Sequence, residues 1–103
     1  MAACVRTIPS FVGGLSVEGG GAIFETLNPA SGEVLAQLHD ANAQDVDAAV
    51  ASAQAGFDIW SALSGAERGR VLQRAAELLR SRNRELAEIE VQDCGKPLQE
   101  ALL

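Results

Sequence analysis

At Asn42 the spacing of apolar residues changes from every second position to every third or fourth, which divides the chain into a strand-forming part and a helix-forming part. Just upstream, Glu33 to Leu38 alternates polar and apolar side chains, the pattern of a strand with one buried face. Downstream, Val46, Ala49, Val50, Ala53, Phe57 and Trp60 share one helical face. Asn42 suits an N-cap, and Asp45 and Asp47 fall in the first turn, where carboxylates meet the positive end of the helix dipole. Ser64-Gly65-Ala66-Glu67 then has the spacing of a capping box. Leu72, Ala75, Ala76, Leu79, Leu86 and Ile89 keep helical intervals after it until Gly95 and Pro97, which predicts a second helix of about thirty residues. Pro97 suits the first turn of a further helix over Leu98 to Leu103.

Ser10 to Val17 and Ala22 to Leu27 are short apolar stretches on either side of Glu18-Gly19-Gly20-Gly21, which predicts a hairpin closed by the glycines. These glycines have neither the G-x-G-x-x-G spacing nor a following Lys-Ser/Thr, and no helix signal opens after them, so they read as a turn and not as a phosphate cradle. Asn28-Pro29-Ala30-Ser31-Gly32 is a second turn, leading into the third strand. The expected architecture is α/β, with about three short strands, two long helices and the start of a third.

With 103 residues the chain holds at most one domain. Its 48% hydrophobic and 21% charged residues exclude a disordered or low-complexity class. Eight basic against fourteen acidic residues, a net charge of -6, argue against nucleic acid, which requires a basic surface. The acidic excess is confined to residues 1–63; from Ser64 to Lys96 the charge is nearly balanced. No apolar run reaches the ~18 to 20 residues of a membrane span, and the first residues lack a secretory h-region, so a cytoplasmic protein with no membrane partner is expected.

Candidate chemistry is sparse. Cys4 and Cys94 are far apart and neither has a C-x-x-C companion, which suggests no zinc site and no disulfide. Cys94 also falls beside Asp93 at the negative end of a predicted helix, the opposite of a thiolate-stabilising setting, so both cysteines read as structural. His39, the only histidine, has no convergent ligand set and reads as a strand-end residue. Arg80, Arg82 and Arg84 are interleaved with Glu77, Glu85, Glu88 and Glu90 at three- and four-residue spacings, an ion-paired solvent face and not a basic patch. Apolar helix faces and a last helix of about one turn need partner surfaces, so the chain is expected to be a fragment.

The run Phe24-Glu25-Thr26-Leu27-Asn28-Pro29-Ala30-Ser31-Gly32-Glu33-Val34-Leu35-Ala36 comes first in an ordered set. Asp45-Val46-Asp47-Ala48-Ala49-Val50 with Phe57 and Trp60 follows, then Glu67-Arg68 through Leu72, and Asp93-Cys94-Gly95-Lys96-Pro97-Leu98. Together these resemble the amino-terminal region of the NAD(P)-dependent aldehyde dehydrogenases. The betaine-aldehyde branch in bacteria is the most similar, through Gly13-Gly14, the F-E-T-L-N-P-A-S-G run and Arg82-Asn83-Arg84-Glu85-Leu86. The resemblance implies that residues 1–103 are a partial amino-terminal segment of a Rossmann-type cofactor-binding domain, with the catalytic and oligomerisation domains absent.

It further implies an oxidoreductase that converts betaine aldehyde to glycine betaine with NAD or NADP, acts on a small aldehyde and assembles as a homodimer or homotetramer. Neither the nicotinamide site nor any catalytic residue falls within this chain, which is expected to be inactive alone. A potassium ion is the one implied ligand with residues here, and the matching positions are Thr26, Leu27 and Asp93. Without that ion Asp93 would be solvated or paired with Lys96 or an arginine. Cys94 departs from the Thr or Asn that many relatives carry in this motif. The alternatives are another aldehyde dehydrogenase, with an aminoaldehyde or semialdehyde substrate, and a stand-alone helical interaction protein.

Overall fold

The computed structural model describes residues 5–102, and they form a mixed α/β arrangement of five strands and four helices. The strands are β1 (Arg6–Ile8), β2 (Ser10–Val12), β3 (Leu15–Val17), β4 (Ile23–Leu27) and β5 (Val34–His39). The helices are α1 (Ala43–Ala62), α2 (Gly65–Ser81), α3 (Asn83–Cys94) and α4 (Leu98–Ala101). β5 is the centre of a three-stranded sheet, parallel to β1 and antiparallel to β4, and β2 and β3 form a separate antiparallel pair.

The predicted hairpin is therefore corrected in its pairing. Ser10 to Val17 is a hairpin by itself, turning at Gly13 and Gly14, whose φ values of 60° and 81° give the two left-handed residues that a tight two-residue turn needs. β4 pairs instead with β5 through the Asn28–Gly32 turn, with Thr26 opposite Ala36 and an irregularity between Thr26 and Leu27. The glycines at 19–21 are a connection pinned in place: the Gly21 N–H donates to the Asp40 carbonyl at 2.8 Å and the Gly20 N–H to Asp45 Oδ2 at 2.7 Å. A Cβ on Gly21 would lie 2.6 Å from the Asp40 oxygen, so a side chain there would displace the turn.

α1 begins as expected at Asn42, in a complete capping box with Asp45. α2 begins in the predicted Ser64–Glu67 box. The thirty-residue helix, however, divides at Arg82 (φ -108°, ψ 14°) into α2 and α3. Ser81 Oγ donates to the Leu78 carbonyl at 2.9 Å, the same oxygen that accepts the Arg82 N–H at 3.1 Å, and such back-bonding by serine bends helices. Arg82 then forks onto Glu85 at 2.9 and 2.6 Å, which fixes the first turn of α3. α3 stops at Gly95, whose φ of 73° is the left-handed cap that glycine tolerates best. The third helix is shorter than predicted: Pro97 precedes its first residue and it ends at Ala101, while Leu103 lies outside the described residues.

Very little of this surface is buried. Among the described residues the buried apolar side chains are Ala36, Ala87 and Ala101, while Phe11, Leu15 and Ile59 are 75%, 70% and 71% exposed. The accessible surface is 7972 Å², against about 5500 Å² for a compact monomer of this mass. The radius of gyration is 17.3 Å, against about 13 Å for a compact chain of this length. Among the described residues no helix is long and apolar enough to cross a membrane.

The two capping carboxylates make the helices acid-sensitive. The Gly20 and Asn42 N–H groups hold Asp45 below its usual range, and the Ser64 hydroxyl and N–H do the same for Glu67. A carboxylate lowered in the folded state stabilises above its unfolded value, 3.8 for Asp45 and 4.5 for Glu67, and that stabilisation is lost as pH falls through the folded one. Circular dichroism should show helix content falling below about pH 4.5. The fall should be smaller in the double variant Asp45→Asn, Glu67→Gln; an identical acid transition in both proteins would show that the caps do not control it.

Candidate functional site

Two of the three predicted ligand positions, Thr26 and Asp93, are in contact. Thr26 Oγ1 donates to Asp93 Oδ1 at 2.8 Å, joining residues 67 positions apart. Each is placed by its own element. Thr26 is the last β4 residue before the break in regular pairing with β5, so the backbone at Thr26 and Leu27 departs from the simple ladder. Asp93 is in the last turn of α3, where the helix dipole is negative and a carboxylate is disfavoured unless a donor or cation compensates it.

Gly95 fixes the end of that helix: its N–H donates to the Val91 carbonyl at 2.9 Å, and a Cβ in its place would lie 3.1 Å from Pro29 Cγ. The α3 terminus thus rests against the Asn28–Gly32 turn that follows β4. Lys96 does not pair with Asp93; its Nζ lies 3.2 Å from Glu90 Oε1.

Thr26 and Asp93 bring a hydroxyl and a carboxylate together, and Leu27, the next residue along β4, is paired with Val34 of β5. The hydroxyl and carboxylate are oxygen donors of the type a hard cation takes, and the Thr26 hydroxyl retains lone pairs after donating its proton to Asp93. Among the described residues no three His, Cys, Asp or Glu side chains converge.

This pair lies at the polar rim of a groove of about 770 Å³ between the three-stranded sheet and α3. Ile8, Phe24 and Leu38 line it from the sheet, Leu86 and Ile89 from α3.

The remaining candidates have structural surroundings. Cys94 is exposed, and its Sγ lies 3.0 Å from the Glu90 carbonyl, one turn back in its own helix; Cys4 lies outside the described residues. His39 ends β5 with Nε2 2.9 Å from Glu18 Oε1, joining the ends of β3 and β5. Arg82 and Arg84 pair with Glu85 and Glu88, as the spacing predicts. The Glu85 carboxylate raises the Arg82 guanidinium further above its ordinary value and is itself lowered in return.

Sequence reasoning missed two ties. Asp45 Oδ2 accepts from Asn42 N–H at 2.8 Å as well as from Gly20, and the Asn-x-x-Asp spacing could have revealed the first of these bonds. Arg68 Nη1 reaches the Leu63 carbonyl at 2.5 Å across the α1–α2 junction, a contact that leaves no signal in the sequence.

Short strands, long helices and an open groove between the sheet and α3 make a mixed α/β arrangement. The chain belongs to the aldehyde dehydrogenase family, whose model matches residues 16–103. It is similar to the aldehyde dehydrogenase of Bacillus cereus solved with NAD+, at 40% identity and a TM-score of 0.88, over 94% of this chain and 20% of that one. A Sinorhizobium meliloti structure with bound NAD, described as a methylmalonate-semialdehyde dehydrogenase, is 33% identical with a TM-score of 0.90, over 96% of this chain and 20% of that one. A 3,6-anhydro-L-galactose dehydrogenase in complex with NADP is 31% identical with a TM-score of 0.89, over 93% and 20%. The chain thus spans about a fifth of the length of the solved structures it matches.

Proposed function

We propose that residues 1–103 are the amino-terminal segment of the cofactor-binding domain of an NAD(P)-dependent aldehyde dehydrogenase. The observation that carries this reading is the likeness over more than nine-tenths of the chain to dehydrogenases solved with NAD or NADP. The nicotinamide cofactor accepts the hydride removed from the aldehyde, and the catalytic and oligomerisation parts belong to the remaining length of the family's polypeptide. Residues of this chain supply scaffolding: β4, β5 and α3 build one wall, and Thr26 with Asp93 fastens the strand to the helix end.

Betaine aldehyde is the substrate suggested by Gly13-Gly14, the F-E-T-L-N-P-A-S-G run and Arg82–Leu86. A semialdehyde is the second reading, favoured by the likeness to the Sinorhizobium protein. The gene that carries these residues, expressed in full, should reduce NAD or NADP in the presence of betaine aldehyde. Faster turnover of methylmalonate semialdehyde would favour the second reading, and no turnover of any aldehyde would end both.

Thr26, Leu27 and Asp93 are also proposed to hold a potassium ion in that protein. An ion bound only by the folded state stabilises it logarithmically with concentration. Potassium should therefore raise the melting temperature of the full protein more than lithium does at equal ionic strength, since general screening depends only on ionic strength. Asp93→Asn should shrink the potassium shift, and an unchanged shift would remove Asp93 from the ligand set.

A further inference from the structure

The contact between Thr26 and Asp93 depends on the direction in which α3 leaves α2. Arg82, between the two helices, has a ψ of 14°, roughly 55° from the ordinary helical value, so α3 does not simply continue α2. Asp93 then lies about 16 Å further along the helix, at ~1.5 Å per residue. A change of about 20° in the direction of α3 would carry it roughly 5 Å away. The 2.8 Å bond to Thr26 tolerates only about 0.4 Å before it leaves the bonding range. Burial along α3 is slight: its buried residue is Ala87, and Leu86 and Ile89 are 38% and 56% exposed at the groove.

One side chain acts directly at the junction. Ser81 Oγ donates to the Leu78 carbonyl, which also accepts the Arg82 N–H, and a serine bonded back in this way bends its helix. The fork of Arg82 onto Glu85 ties the first turn of α3 to the same point, so a change at Ser81 is carried into α3 as a rotation. We propose that Ser81 is a positioning residue: its hydroxyl sets the α2–α3 bend that brings the Asp93 carboxylate to the Thr26 hydroxyl. The inference rests on that contact and not on the ion proposed at it.

A double-mutant cycle on the full protein, melted in lithium buffer, tests it. Residues 26 and 81 are separated by the length of α3, and changes at independent sites more than about 7 to 10 Å apart add. Thr26→Val should lower the melting temperature. In the Ser81→Ala background it should lower it by less than half as much, because the bond it removes is already broken. Ser81→Thr keeps a hydroxyl at the bend and should restore the full loss. Ser61 is the control: its Oγ donates to the Asp58 carbonyl at 3.4 Å, the same chemistry at the end of α1, a helix that does not carry Asp93. Ser61→Ala should leave the Thr26→Val loss unchanged. Equal losses with and without the Ser81 hydroxyl would overturn the inference and give the placing of Asp93 to the contact of Gly95 with Pro29. A Thr26→Val protein that melts with the wild type, or a Ser61→Ala background that halves the loss as well, would also overturn it. Potassium is a separate readout, so an intact cycle with no potassium shift would count against the proposed ion and leave the role of Ser81 standing.

Discussion

Calorimetry of the isolated 103-residue chain should show no sharp transition, and an apolar dye should fluoresce strongly in its presence although circular dichroism reports helix. The reason is one of scale. Ordering each backbone residue costs about 1 to 2 kcal/mol, and burial of a large apolar side chain returns about 1.5 to 3 kcal/mol. The side chains that should make that return, Val46, Val50 and Phe57 among them, remain half exposed or more. If about half of the excess surface is apolar, the missing stabilisation is roughly 30 kcal/mol, larger than the ~5 to 15 kcal/mol by which whole domains are stable. Helices can persist through their capping boxes, but a cooperative core cannot. A single sharp melt in the monomer, with equal calorimetric and van't Hoff enthalpies, would show that the open faces close on themselves in solution.

The second large effect is catalytic. The isolated chain should oxidise no aldehyde and should show no NAD binding by calorimetric titration. Enzymes accelerate reactions by about a millionfold or more through a positioned nucleophile, a general base and a bound cofactor acting together. The exposed thiol among the described residues, Cys94, has its Sγ 3.0 Å from the carbonyl of Glu90, one turn back in its own helix. Turnover that survives purification and vanishes in Cys94→Ala would make that thiol a nucleophile in spite of its surroundings.

The sequence was most legible where side-chain chemistry acts locally. Asn42 and Ser64 cap the helices they precede because their oxygens accept N–H bonds three residues ahead, a relation written in adjacent positions. The Arg82–Glu85 and Arg84–Glu88 pairs were readable for the same reason. Strand pairing was less legible because it is decided by partners far along the chain. Gly13-Gly14 is a strong turn signal, yet the neighbouring triple glycine competes with it, and only the pairing of β4 with β5 shows which one turns a hairpin. Three residues of β1 carry too short a pattern to read, and their parallel partner lies some thirty positions away. The division at Arg82 depends on one serine hydroxyl choosing a carbonyl, which periodicity does not encode. Thr26 and Asp93 were joined through family resemblance, because no periodic rule links a strand end to a helix end across 67 positions.

The double duty of Asp45 has a consequence for the order of folding. One of its oxygens accepts the Asn42 N–H that opens α1 and the Gly20 N–H of a loop 25 residues earlier. Starting a helix is normally a local event, in which several dihedral angles are fixed for a single bond. Closing a loop of this length is normally a separate entropic loss. In this chain the same atom serves both, so the chain that has begun α1 already offers the glycine loop its anchor, and the loop that has found its anchor already holds the first turn of α1. The boundary between strand-forming and helix-forming sequence at Asn42 is therefore also the point where one carboxylate ties the glycine connection to the first turn of α1.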